Sequence, residues 1–164
     1  FDVKKAESLN GDHIRLLTPA VFLERCVPYL QEASLVSDPI TEDEASTLAE
    51  ILPFVQERVG LLGEVPGMIA FLFTADDALV IEDDARKTLG DRSAEVLDAA
   101  LLALEALEPW DTASLEEVLR ETLVDRLEVS PRHAFGPLRV AISGRRVSPP
   151  LFESMEVLGR NGAD

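Results

Sequence analysis

Four arginines, Arg132, Arg139, Arg145 and Arg146, stand in the stretch 129–152, VSPRHAFGPLRVAISGRRVSPPLF, which holds no acidic residue. The 164-residue chain as a whole has a formal net charge of -16. Residues 1–119 hold 8 Lys/Arg against 25 Asp/Glu, whereas residues 120–164 hold 7 against 6. An acidic chain that keeps one stretch free of acids, and fills it with Arg rather than Lys, points to a local anion site. The guanidinium is planar and always charged, and its fork of donors matches phosphates and base edges. The competing explanation is a solvated charged face.

Little else in the chain could do chemistry. His13 and His133 lie far apart, with no Cys or carboxylate at metal-ligand spacing. Both read as packing or surface residues, although His133 falls inside the arginine stretch. The pairs Asp76-Asp77 and Asp83-Asp84 read as linker and first-turn acids, which favour helix N-termini. There is no Gly-rich phosphate loop. The single Cys26 cannot form an internal disulfide, which suits a reducing compartment, and it reads as a small buried apolar residue. No catalytic residue and no metal site are expected, nor any cofactor of this chain's own.

The elements that must position the arginines are helical. Thr18-Pro19 reads as an N-cap and first-turn proline that open a helix over 19–33, which Pro28 should kink or interrupt. Thr41-x-x-Glu44 is a capping box opening 42–59, with Ala45, Leu48, Ala49, Leu52 and Val55 as its apolar face and Pro53 as a bend. Gly60 and Gly63 mark a break before a short helix near 64–73. Residues 74–81 read as a linker. Further helices are expected near 82–89, 91–107, 114–128, 131–143 and 149–159. Their starts are a second capping box, Ser114-x-x-Glu117, and the pairs Ser130-Pro131 and Ser148-Pro149. The expectation is an all-α fold of two small helical bundles in tandem.

Hydrophobic residues make up 46%, ordinary for a globular chain, and no apolar run approaches the ~18 residues of a membrane span. No basic segment followed by an apolar one suggests a signal peptide. The chain opens on Phe-Asp and reads as a piece of a longer one. A DNA-binding helix-turn-helix regulator fits poorly, since such domains are usually basic. An acidic helical protein-interaction module remains the alternative, and it leaves the acid-free stretch without a role.

The run PLRVAISGRRVSPPLFESMEVLGR resembles the C-terminal anticodon-binding region of bacterial class I glutamyl-tRNA synthetases. The matching residues are Pro137, Leu138, Arg139, Ala141, Ile142, Ser143, Gly144, Ser148, Pro149, Leu151, Phe152, Leu158 and Gly159. The start FDVKKAESLNGDHIRLL and the stretch LGEVPGMIAFLFT are similar to two further family segments, in the family's order. The resemblance covers essentially the whole chain. It implies residues 1–17 as a remnant of a stem-contact region, with 18–75 and 76–164 as two anticodon-binding helical subdomains. The class I catalytic motifs are absent, so the fragment alone is expected to be non-catalytic. The parent enzyme would attach glutamate to tRNA with ATP and Mg.

On this resemblance Arg58 reads the third anticodon base. Arg139 and the Ser148, Pro149 and Leu151 turn contact the other two. Arg58 has a plainer alternative as a helix C-terminal arginine favoured by the dipole. Arg145 and Arg146, in the turn between two helices, are expected to contact tRNA phosphate, a positioning rather than a specifying role. Lys4, Lys5 and Arg15 belong to the stem-contact remnant. The implied partners are a glutamate-accepting tRNA, with glutamine-accepting tRNA left open, and the catalytic domain of the same polypeptide. The implied setting is the cytoplasm, with no membrane and a monomeric enzyme.

Overall fold

The computed structural model describes residues 2–159. Phe1 and Arg160, which belong to the quoted segments, lie outside them. The described residues form helices and turns and no strand. The chain divides into two compact units, Phe1–Thr74 and Ala75–Asp164.

Unit 1 begins with a helix that no start signal had suggested. This is α1 (Val3–Arg15), capped by the Asp2 carboxylate, which accepts from the Lys5 amide. Helix α2 (Pro19–Glu32) starts as expected on Thr18, whose hydroxyl accepts from the Val21 amide. It continues through Pro28 and buries Phe22, Cys26 and Leu30, one residue every four, on a single stripe. Burial pushes the Cys26 thiol up to about 12, so it stays protonated and behaves as an apolar side chain. Helix α3 (Glu42–Gln56) opens on the Thr41/Glu44 capping box and runs through Pro53. Its buried face is Leu48, Ile51, Leu52 and Val55; Ala49, expected there, is exposed and Ile51 takes its place. Each of these large side chains is worth about 1.5–3 kcal/mol when fully buried. The unit closes with 3-10 turns at Leu62–Glu64 and Ala70–Phe73 around the short α4 (Val65–Ile69).

In unit 2 the expected helix over 82–89 shrinks to one turn, α5 (Asp83–Arg86), and that over 91–107 to α6 (Ser93–Leu104). The Ser114/Glu117 capping box does not form. Asp111 caps α7 (Thr112–Leu119) instead, accepting from the Ser114 amide at 2.8 Å, so the helix begins two residues earlier. Asp111 and Ser114 are comparable N-cap residues, and here the acid three residues earlier takes the role. From Arg120 to Arg126 the winding loosens into π-helix. Leu115, Leu119 and Leu123, spaced by four, would drift around a regular α-helix. The wider turn offsets that drift, and all three are fully buried. Helix α8 (Pro131–Ser143) carries the arginine stretch. Helix α9 (Leu151–Leu158) begins at Leu151, two residues later than the Ser148-Pro149 signal implied, with Pro150 as N-cap. Trp110 ties α9 down by donating its indole N–H to the Met155 carbonyl at 3.0 Å, and Glu156 accepts from the Thr112 amide and hydroxyl.

Candidate nucleic-acid interface

Arg139 lies on α8, half-buried, with Leu138 and Val140 on either side turned into the core. Its Nε donates to the Ser148 hydroxyl at 3.1 Å, and that hydroxyl donates to the Pro149 carbonyl at 2.7 Å. Two residues nine apart in sequence are thereby held together across the α8–α9 turn. Ser148 and Pro149 are buried, and Leu151 is a core residue at 4% exposure. The Leu151 side chain therefore shapes the turn from beneath.

The turn itself is over-determined. Gly144 ends α8 at φ +71°, the left-handed region that glycine enters without strain. The Ser143 hydroxyl donates to the Arg139 carbonyl at 2.6 Å and accepts from the Arg145 amide at 3.2 Å. A strap formed by residues 79–82 crosses the turn. The Glu82 amide donates to the Gly144 carbonyl at 2.8 Å, and a Cβ on residue 144 would stand 2.2 Å from the Val80 carbonyl oxygen. Segment 74–81, expected as a plain linker, is thus part of the site's scaffold and carries a 3-10 turn, Asp76–Ala78.

Arg145 and Arg146 leave this turn and meet acids of the strap and α5. The Nε of Arg145 is buried 3.2 Å from a Glu82 carboxylate oxygen, as an ion pair without hydrogen-bond alignment. Arg146 lies 3.9 Å from Asp84 and is 56% exposed. Asp84 is therefore a charge partner as well as a first-turn acid. The stretch lacks acids of its own and takes them from elsewhere in unit 2.

Beside Arg139 an open cavity of about 640 Å³ is lined by Lys87, Arg132, His133, Arg139 and Arg146, along with Thr88, Gly136 and apolar residues of α8. No described carboxylate lines it. Phe135, on its wall, meets Phe152 edge-to-face at 5.3 Å and lies under the Arg120 guanidinium at 5.3 Å. His133 is exposed, and its Nδ1 shares a 2.7 Å hydrogen bond with the Ser130 hydroxyl. Sequence reasoning counted Arg132 in the stretch but gave it no role, and it missed Lys87 and Thr88. The legible signal was a lysine just after an acidic helix start.

Arg58 belongs to unit 1. Its Nη1 donates to the Phe54 carbonyl at 2.7 Å, at the end of α3, and lies 3.8 Å from Glu57. The helix-terminal reading is thus realised, while its Nε and Nη2 make no hydrogen bond to a described residue. The backbone that carries Arg58 is pinned from α1. Gln56, buried, donates to the carbonyls of Ile14 at 2.7 Å and Leu17 at 2.9 Å, and Asn10 donates to Gly60. Glu64 accepts from the amides of Gly60 and Leu61 and closes the break after Arg58. Of the other α1 cations, Arg15 pairs with Asp12, and Lys4 and Lys5 are exposed.

The described residues thus form a helical fold with an acid-free, arginine-lined groove. The model of the anticodon-binding domain family matches residues 21–163, and the chain belongs to that family. It is similar to the glutamate–tRNA ligase of Paenarthrobacter aurescens (strain TC1), 53% identical over 163 residues, covering 99% of this chain and 32% of that protein. With the glutamate–tRNA ligase of Leifsonia xyli subsp. xyli it shares 56% identity over 162 residues, covering 98% and 33%. The chain spans about a third of the length of the curated relatives it matches. Its fold also matches the crystal structure of a glutamate tRNA ligase from Elizabethkingia meningosepticum, with a TM-score of 0.78 at 18% identity over 99% of this chain and 31% of that one.

Proposed function

We propose that this chain is the non-catalytic, C-terminal anticodon-reading part of a cytoplasmic glutamate–tRNA ligase, and that the longer protein attaches glutamate to its tRNA with ATP. Arg58 reads the third anticodon base. Arg139, held by Ser148 in the turn shaped by Pro149 and Leu151, reads the other two. Arg145 and Arg146 contact phosphate once the RNA displaces Glu82 and Asp84. Lys4, Lys5 and Arg15 of residues 1–17 approach the tRNA stem. Sequence-specific RNA recognition addresses unstacked bases, which an anticodon loop supplies. The described residues include no group of three or more His, Cys, Asp or Glu that could hold a metal. They do not fit Mg, and the ATP and Mg chemistry belongs to the rest of the longer protein in this reading.

The observation that carries the reading is the acid-free groove around Arg139 on a chain of net charge -16 in an anticodon-binding family. A well-placed Arg–base contact supplies about 1–3 kcal/mol of discrimination. Arg58→Gln, in the full-length ligase, is expected to cut the preference for the correct third base by roughly ten- to a hundredfold. Arg139→Ala is expected to act on the first two bases and spare the third. The measurement is aminoacylation efficiency on glutamate-accepting tRNAs changed one anticodon base at a time, with glutamine-accepting tRNA alongside. Equal losses on every variant for both mutants would remove the base-reading assignment.

A further inference from the structure

Apart from Arg139, the described cations of unit 2 differ in whether they have a partner. Arg92, Arg120, Arg126, Arg145 and Arg146 each face a carboxylate within 4.0 Å. The side chains of Arg86, Lys87 and Arg132 are exposed and form neither an ion pair nor a hydrogen bond with any described residue, and of these Lys87 and Arg132 line the groove beside Arg139. Exposed cations in so acidic a chain easily find carboxylates, and the paired group shows that most do. Of the three that do not, the two that share a cavity without a described carboxylate mark the place where an external anion meets least competition.

The wall between them is suited to a close approach. Gly136 faces the groove, and a Cβ built there would meet nothing within 4 Å. It precedes Pro137 inside α8, where a side chain would crowd the proline ring, so the helix itself calls for glycine. The result is a smooth backbone surface flanked by Arg132 on α8 and Lys87 after α5.

Building on the anticodon-reading function, we propose that Lys87 and Arg132 grip the ribose-phosphate backbone of the bound RNA strand, so that unit 2 draws affinity from a pair of charges separate from its base reader. Each such contact releases counterions, and the dependence of log K on log salt steepens by about 0.7 per phosphate on single strands. Neither residue is asked to distinguish bases.

The test measures binding of labelled glutamate-accepting tRNA, and of copies with altered anticodons, to the full-length protein between 50 and 300 mM salt. Lys87→Ala/Arg132→Ala is expected to flatten the salt slope by about 1.4 and to weaken binding roughly tenfold near 150 mM salt, alike for every anticodon. Lys87→Arg and Arg132→Lys should retain the slope. Arg126→Ala, which removes an exposed charge outside the groove, should leave it unchanged. An unaltered slope in the double variant, an equal change per charge in Arg126→Ala, or a loss confined to one anticodon overturns the inference and leaves the anticodon reading standing. Absence of tRNA binding by the wild type overturns both. Circular dichroism on each variant separates loss of contact from loss of fold.

Discussion

Gly144→Ala is expected to destabilise unit 2 by about 2–3 kcal/mol. Alanine at φ +71° pays about 1 kcal/mol or somewhat more for the left-handed backbone. Its Cβ would lie 2.2 Å from the Val80 carbonyl oxygen, and that neighbour is backbone, so the strap must move rather than a side chain. Moving it breaks the 2.8 Å bond from the Glu82 amide to the Gly144 carbonyl, worth about 1 kcal/mol. The Arg145–Glu82 pair is part-exposed and adds nothing dependable to this total. Trp110, the chain's sole tryptophan, sits half-buried in unit 2 with its indole bonded to Met155, so its fluorescence follows the unfolding of this unit. With a urea dependence of about 1–3 kcal/mol per M, the midpoint should fall by roughly 1–2 M. Gly90→Ala is the control. It has no positive φ and nothing within 4 Å of its Cβ, and it should move the midpoint by no more than about 0.3 M. A Gly144→Ala midpoint within that same margin would refute the reasoning, because the strap would then not be seated on the turn.

Two further variants probe the scaffold. Gln56→Leu takes the side-chain donor from the Ile14 and Leu17 carbonyls and should destabilise unit 1 by about 2 kcal/mol; hydrogen exchange should show protection lost in α1 and the second half of α3, and unchanged exchange there would contradict it. Glu44 and Asp111 titrate below their ordinary values, chiefly because their carboxylates accept from the backbone amides of Thr41 and Ser114 respectively. A carboxylate depressed on folding stabilises above its unfolded value, about 4, and loses that contribution as pH falls through the folded one. Glu44→Gln/Asp111→Asn should therefore flatten the decline of stability below about pH 4, and identical acid curves for variant and wild type would count against these caps.

How much of this was legible in the sequence depended on the range of the interaction. Local chemistry read well: Thr18 with Pro19 and the Thr41/Glu44 box start their helices as expected. It failed where two local solutions competed, as at Asp111 and Ser114, since either residue could cap and only packing of α7 on α9 selects the earlier start. The loosened turn at Arg120–Arg126 leaves no single-residue signature; it is a register correction for leucines spaced by four. In the candidate site, the arginine stretch was visible as composition, but the Arg139–Ser148 contact depends on how the turn closes. Lys87, and the acids Glu82 and Asp84, come from some 50 residues away and could not be assigned to the stretch by periodicity.

Glu82 and Asp84 give the turn a property of evolutionary interest. An anion that takes Arg145 or Arg146 must first displace a carboxylate, and neither acid lines the cavity that holds Arg139. Under the proposed function, a mutation that removes, adds or shortens one of those acids changes the cost of displacement by the same amount for every RNA. Binding strength can then drift with the ionic composition of a host's interior while the ranking of ligands is inherited unchanged. Under the proposed function, strength and the selectivity of Arg139 become separately heritable traits, carried by residues more than 50 positions apart.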